Sequence, residues 1–390
     1  MSPASQWPRS VLMVTPSLPS EAENVTGSPA HIFKVRRTLE AHGIGVSILQ
    51  YATPQDRGPT GSNESTLCAW SLKVPRLLAK TRPDVVHCHG HLAAALIYPF
   101  AKLFRTPFVC EIHGVYVPSA WGSRGSRPLL SRCSKLMEFW ALRRSGHVIA
   151  QAEGMKNELM NAGRVPGARI TVIYPGLNTS EFADYSGPLP EIPGCNSCDK
   201  VVMYAGSTHS YQGLALLAQA QEQLVARRSD VFFVLVLSGN TSEDVVENFG
   251  FDCRYTRVIR PGGSSELPGF FKRADVLIHA RPPCLDNINV QSKLGLYLAS
   301  GKPIVATNIG DYTLIMGASR GCVLTDPAPA RIAEAVAAAL DDPEIRHNAA
   351  RSNPELARRY FEADRNYDRL LHVYRSAAGK GLWSGLPSAA

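Results

Sequence analysis

No run of eighteen apolar residues occurs in this 390-residue chain, so no membrane-spanning helix is expected. The longest apolar stretch, LAAALIYPFA at 92–101, is about half the length a span needs. A charged leader is missing too. MSPASQWPRSVLMVT has one arginine ahead of a short apolar run and reads as a first strand rather than a secretion signal. Closely paired cysteines are scarce. The nine cysteines, at 68, 88, 110, 133, 195, 198, 253, 284 and 322, make a single CxxC, Cys195 with Cys198. A zinc site needs about four ligands, and an odd, scattered set points to reduced thiols. Basic residues are not interleaved with aromatics and no nucleic-acid motif occurs, so nucleic acid is not an expected partner.

What is present suits two domains, since 390 residues exceed one compact core. The formal charge of +8 is uneven: residues 1–185 hold 20 Lys/Arg and 12 Asp/Glu, and residues 186–390 hold 21 of each. A basic first half can face an anionic membrane or an anionic acceptor, or merely aid solubility. The expected location is cytoplasmic, at most peripheral at a membrane.

Short apolar runs alternate with helical periods. SVLMVT, VSILQY, DVVHCH, PFVCEIH, HVIAQ and RITVIY read as strands of the first half. AHIFKVRRTLEAHG, LAAALIYPFAKLF and EGMKNELMNAG read as helices between them. After ADYSGPLPEIPGCNSC the pattern restarts with KVVMYAG, VFFVLVLSG, DVLIHA, PIVATNI and GCVLT as strands. Two helices, 343–361 and 363–377, close it, with Asp342 capping ahead of Pro343. The expected fold is α/β, with two doubly wound, Rossmann-like domains facing a cleft. The expected divisions are 1–182, a linker at 183–198, a second domain at 199–360, a helix at 361–378 returning to the first domain, and a tail at 379–390.

The order of ENVTGSPAHI, DVVHCHG, FVCEIHG and VIYPGLNTSEF, then VVMYAGSTHSYQGLALL, LPGFFKRADVLI and SKLGLYLASGKPIVATNIG, resembles family-4 retaining glycosyltransferases of the GT-B fold along nearly the whole chain. The resemblance implies a nucleotide-sugar donor held by the second domain and an acceptor held by the first. It implies no cofactor and no metal, because protein cations meet the leaving diphosphate. It also implies no protein nucleophile, the leaving phosphate taking the acceptor's proton.

The chain departs from the family at its chemistry. The usual Arg of a GR pair and Lys of a KG pair fall at Gly206-Ser207 and Gln212-Gly213. The usual two glutamates fall at Ile288 and Leu296, with Asp286 a nearby substitute for the first. A lost hydrogen bond to a charged group costs about 1.5–3 kcal/mol, roughly tenfold to a hundredfold in binding. Replacement cations are Lys293 and Arg281, with the helix opening at Gln291-Ser292 as an anion site. The bland alternative for Lys293 is an exposed helix lysine. Donor contacts are thus expected at Gly206, Ser207, Thr208, Gln212, Gly213, Arg281, Asp286, Asn287, Ile288, Asn289, Val290, Gln291, Ser292 and Leu296. His113 matches a family histidine near the donor sugar and, with Lys293, is assigned to catalysis; a structural role for His113 is the alternative. Acceptor contacts are expected at Gly27, Ser28, His89 and Tyr116. His87, His89 and His91 alternate as metal ligands might on a strand, but a turn at Gly90 breaks the series and no metal is expected.

The acceptor is left as a glycan or lipid precursor, or a small natural-product intermediate with an O, N or S nucleophile. A degenerate transferase that binds glycans or scaffolds a partner is the alternative function; a GT-B epimerase is disfavoured because its acidic and basic residues are not recognisable.

Overall fold

The computed structural model describes residues 7–16, 28–51, 73–113, 139–161, 165–196, 199–237, 244–284 and 288–378. They form two compact units, each around its own parallel sheet. The strands are short runs of β-branched and aromatic residues buried on both faces, as parallel sheets with helical crossovers require. VVHCH and FVCEI, for example, are buried at every position.

The first sheet runs in the order β2-β1-β3-β4-β5-β6. Its strands are β1 (Ser10–Pro16), β2 (Gly45–Tyr51), β3 (Val85–His89), β4 (Phe108–Ile112), β5 (His147–Ala150) and β6 (Ile170–Val172). Chain order reverses direction between β1 and β3, so the crevice for a ligand lies at their carboxyl ends. The helix Ser28–Ala41 follows β1 and the helix His91–Leu103 follows β3, so both open on that edge.

The second sheet runs β12-β11-β10-β7-β8-β9. Its strands are β7 (Lys200–Gly206), β8 (Val231–Leu237), β9 (Thr256–Ile259), β10 (Val276–His279), β11 (Ile304–Thr307) and β12 (Cys322–Thr325). Here the reversal falls between β7 and β10. The edge strand β9 is absent from the sequence reading: TRVI is buried only at Thr256 and carries Arg257 outward, so it lacks the apolar run of its neighbours.

The two closing helices are Pro343–Phe361 and Ala363–Ala377. The first is capped by Asp342, whose Oδ1 accepts the Glu344 N–H at 2.8 Å, and belongs to the second unit. The second belongs to the first unit, where Tyr367, Leu370, Val373 and Tyr374 pack with Val11, Met13, Ile32 and Val85.

The unit boundary corrects the expected divisions. It falls between Tyr174 and Pro175, ahead of 182. The described part of segment 183–198 lies on the second unit instead of hanging free as a linker. Lys272 Nζ donates to the Ala183 carbonyl at 3.2 Å, Arg257 Nε donates to the Pro193 carbonyl at 2.7 Å, and Ile192 is buried. Proline and glycine mark irregular backbone, which a surface-hugging segment and a hinge share. Residues 379–390 lie outside the described set.

Candidate functional site

In the second unit, β7 ends at Gly206 and β10 at His279, the two strands that flank the reversal of strand order. The loop after β7 carries Gly206, Ser207 and Thr208, all half-buried, and closes at Gly213. Gly213 has φ +78, and a Cβ there would sit 1.8 Å from the Ala280 carbonyl oxygen, so only glycine lets the loop cross β10.

Lys293 is the second residue of the helix Ser292–Ala299, and its side chain turns to the β7 loop. Its Nζ donates to Gln212 Oε1 at 2.5 Å and to the Tyr204 hydroxyl at 3.3 Å, and lies over the Tyr204 ring. It is also 2.9 Å from where a Cβ on Gly206 would be. The ammonium therefore stands against the two positions, 206–207 and 212, whose family cations are missing. Burial, and then the charge of Arg281, push its pKa well below the ordinary lysine value.

Arg281, the other replacement cation, is 1 % exposed. Its backbone N–H donates to Thr307 Oγ1 at 2.9 Å, and its Nε donates to the Tyr211 carbonyl at 3.2 Å. Its Nη1 is buried with no hydrogen-bond partner among the described residues. No described carboxylate forms an ion pair with Lys293 or Arg281. A buried Arg281 beside a half-buried Lys293, with no described anion, is costly unless a ligand supplies one.

Gln291 caps the 292–299 helix with extended backbone, φ −81 and ψ 142. Its side chain faces inward, its Oε1 3.2 Å from His279 Nε2, while His279 Nδ1 lies 2.7 Å from the Tyr312 hydroxyl. Burial and the charges of Lys293 and Arg281 hold His279 well below the usual imidazole pKa. Ile288, Asn289, Ser292 and Leu296 are half-buried, and Leu296 brings no hydrogen-bonding group to the helix. Val290 is core, 3 % exposed, so its side chain is closed to a ligand. Asp286 and Asn287 lie outside the described residues. Sequence reasoning passed over Tyr204 and His279, because a tyrosine or histidine in a strand reads as ordinary core, and over Tyr211 and Tyr312, which sit in a short turn and at the start of a short helix.

The first unit gathers a different set at its own reversal point. Glu111 on β4 is 2 % exposed. Its Oε1 accepts from His31 Nε2 at 2.6 Å and from Gln151 Nε2 at 2.9 Å. Its Oε2 lies 3.3 Å from His87 Nε2, off the line of a good hydrogen bond, and 3.5 Å from His89 Nδ1. Burial alone would raise the Glu111 pKa; the charge and hydrogen bond of His31, the contact with His87 and the charge of His113 hold it well below the usual carboxylate range. Gln151 Nε2 also donates to His113 Nδ1 at 3.0 Å. The His113 proton is then on Nε2, which lies 3.0 Å from His89 Nδ1. Burial, working against the attraction of Glu111, lowers the His113 pKa to about 4.

His89 was expected to touch an acceptor, but it is fully buried behind His113. Ser28 opens the helix Ser28–Ala41, while Gly27 and Tyr116 lie outside the described residues. His87 and His89 do share one face, as strand alternation requires, and Gly90, φ 96, turns the chain away before His91.

Glu111 with His87 and His89, or with His31 and His113, offers metal-ligand atoms within 4.8 Å of one another. The ring planes do not suit an ion between His87 and His89. Those rings stack with centroids 4.4 Å apart and planes 29° apart, so their in-plane lone pairs run side by side instead of converging. Glu111 Oε1, His87 Nδ1, His89 Nδ1 and both His113 nitrogens have hydrogen-bond partners in or beside the cluster, while His31 Nδ1 and His87 Nε2 do not.

Two doubly wound units in tandem, one with enclosed cations at its strand-order reversal, define the GT-B class of glycosyltransferase fold. A pattern described as Glycosyltransferase Family 4 matches residues 25–181, and one described as Glycosyl transferases group 1 matches residues 199–342. The chain belongs to the family-4 glycosyltransferases. It is similar to alpha-D-kanosaminyltransferase of Streptomyces kanamyceticus, 24% identical over 302 residues, covering 74% of this chain and 76% of that one. It is also similar to glycogen synthase of Mycobacterium tuberculosis, 27% identical over 281 residues, or 70% of this chain. That match spans 63% of the synthase, less than two thirds of its length. Anabaena Alr3699/HepE in complex with UDP-glucose shares the fold, with a TM-score of 0.67, 14% identity, and coverage of 94% of this chain and 99% of that one. Among the described residues no helix is long and apolar enough to cross a membrane.

Proposed function

We propose that this chain transfers a sugar from a nucleotide diphosphate sugar to an acceptor, with retention at the anomeric carbon and without a metal. One observation carries the proposal: the Lys293 ammonium stands against Gly206 and Gln212, where the family's own cations are absent, beside a buried Arg281 with an unanswered Nη1.

Breaking the anomeric C–O bond leaves charge on the departing diphosphate, and preorganised cations stabilise that charge most when they are out of water. Lys293 and Arg281 supply it as full charges. The first N–H groups of the 292–299 helix, which have no partner within the helix, add the positive end of its dipole. The lowered Lys293 pKa is what an anion would reverse on arrival. The likeness to a fold solved with UDP-glucose supports a nucleoside diphosphate sugar as donor. The likeness to a kanosaminyltransferase supports a small-molecule acceptor ahead of a polymer. Cytoplasmic action, with at most peripheral membrane contact through the basic first half, completes the reading.

Thermal shift with UDP, GDP, ADP and TDP tests it. At a hundredfold excess over Kd, one of them should stabilise by about 2.7 kcal/mol, while the matching nucleoside should not. No response to any of the four would favour a binding or scaffold role. Proton NMR of the first-formed glycoside would then establish retention or inversion.

A further inference from the structure

We propose that the side-chain amide of Gln291 is a hydrogen-bond donor to the departing diphosphate, held in that orientation by His279 and Tyr312. The inference rests on the transferase reading above and adds a second kind of contact to its cations. No proton leaves the amide, so the leaving phosphate still takes the acceptor's proton.

The orientation follows from what each group can donate. A guanidinium has N–H donors and no acceptor, and that of Arg281 stands beside the Tyr312 hydroxyl: burial raises the Tyr312 pKa, and the charge of Arg281 works against that rise. The Tyr312 oxygen therefore faces the guanidinium with its lone pairs and points its proton away. The acceptor of that proton is His279 Nδ1, 2.7 Å from the hydroxyl. A neutral imidazole that accepts at Nδ1 carries its own proton on Nε2, here 3.2 Å from Gln291 Oε1. The Gln291 carbonyl is thereby committed to His279, and its NH2 group is turned the other way. Gln212 is fixed in the same sense. An ammonium also only donates, so Lys293 Nζ engages Gln212 Oε1 at 2.5 Å and leaves the Gln212 NH2 for another partner.

The amide can be reached. Gln291 is half-buried, and its Nε2 has no hydrogen-bond partner among the described residues, yet it is not one of the unpaired atoms closed off from solvent, as Arg281 Nη1 is. Nor does the Gln291 side chain cap the 292–299 helix. The amide thus stands at the opening of that helix in addition to its first N–H groups, two residues before Lys293. Arg281, Lys293 and the two amides all present donors. Such a set suits the ionised oxygens of a diphosphate, to which hydrogen bonds are charge-assisted, and offers nothing to the proton of a sugar hydroxyl. Gln291 is the residue that touches the ligand; His279 and Tyr312 are positioning residues.

The test uses the full chain labelled with 15N-histidine, and the His279 signals are assigned by their loss in His279→Gln. Long-range proton–nitrogen spectra should show His279 protonated on Nε2 with Nδ1 bare. The opposite tautomer would turn the Gln291 carbonyl to the ligand and overturns the proposal. Calorimetry with inorganic pyrophosphate, and with whichever of UDP, GDP, ADP and TDP stabilises the wild-type chain, reads the contact itself. Gln291→Ala should weaken both by about tenfold or more, and Gln291→Glu, which exchanges the amide donor for an acceptor, should weaken them further. Tyr312→Phe should weaken both by a smaller factor, and by none once Gln291→Ala is present, because a positioning residue acts only through the group it positions. An equal loss from Tyr312→Phe in both backgrounds would mark a merely structural tyrosine and overturns its assigned role. A folded Gln291→Ala chain that binds pyrophosphate and nucleotide as tightly as wild type overturns the proposal and leaves the transferase reading intact. A wild-type chain that binds neither pyrophosphate nor any of the four nucleotides defeats both.

Discussion

The two units solve opposite electrostatic problems at the same topological place. At the reversal point of the second unit, a half-buried Lys293 and a buried Arg281 stand together with no described carboxylate to pair them. At the reversal point of the first, one buried carboxylate is surrounded by His31, His87 and Gln151, and two further imidazoles are kept neutral. The first unit is thus largely self-compensated, although His31 Nδ1 and His87 Nε2 have no hydrogen-bond partner among the described residues. The second carries a positive excess that no described carboxylate answers. A polyanion suits the second site and a neutral hydrogen-bonding group the first, the division that the proposed transfer from a nucleotide-sugar donor to an acceptor would need.

The comparison breaks most visibly at Gly213. Its Ala variant would place a Cβ 1.8 Å from a backbone oxygen at φ +78, so Gly213→Ala should cost several kcal/mol, beyond the roughly 0.5–3 kcal/mol of most point changes. Hydrogen exchange should quicken in β7 and β10 while β3 and β4 stay protected. A wild-type melting curve would show that the loop can move off β10.

Acid should separate the units next. The folded pKa values of His89 and His113 lie below that of a free imidazole, so below about pH 6.5 the unfolded chain binds more protons than the folded one. Stability that is intact above that pH should fall as pH drops towards about 4, where His113 itself titrates. Glu111 adds a second loss at lower pH, because a depressed carboxylate stabilises above its unfolded pKa and ceases to do so as pH falls through its folded one. The second sheet carries the same liability at His279, but there it is one described imidazole against His89, His113 and His147 in the first, so exchange measured from pH 7 to 4 should open the first sheet ahead of the second. Equal opening of both sheets would contradict the assignment of the buried imidazoles.

A smaller effect sharpens the second site. Because Lys293 has a lowered pKa when the site is empty, a diphosphate should draw a proton onto it. Calorimetry in buffers of different ionisation enthalpy, repeated towards alkaline pH where the empty-site lysine gives up its proton before the bound one, should show proton uptake on nucleotide binding that Lys293→Gln removes. The smallest expected effect is none: a chelator should leave donor turnover unchanged, since the proposed charge stabilisation comes from side chains.

Much of this architecture was legible beforehand. Alternating strands and helices are dictated by short apolar runs, and the capped junction at Asp342 is written in its own residues. Lys293 was legible as a candidate because it follows a helix start, although its contact with Gln212 depends on a loop 81 residues earlier in sequence. The acidic centre of the first unit was not. Glu111 hides within a strand pattern, and His31 and Gln151, 80 and 40 residues away from it, meet it only through strand order. Sequence periodicity reports which face is buried, not which buried polar groups converge. Likewise Arg281 was legible as a replacement cation but its burial was not, since arginines are mostly exposed and its Thr307 and Tyr211 contacts exist only in the fold.

The central claim is that Lys293 grips the departing diphosphate in place of the family's absent cations. Its most direct test is the Kd of the nucleoside diphosphate that stabilises the wild-type chain, measured for wild type and Lys293→Gln at one salt concentration. The account predicts a loss of about tenfold to a hundredfold, the worth of roughly 1.5–3 kcal/mol for a charged hydrogen bond. The matching nucleoside should bind both chains equally. An unchanged Kd in the variant would contradict it.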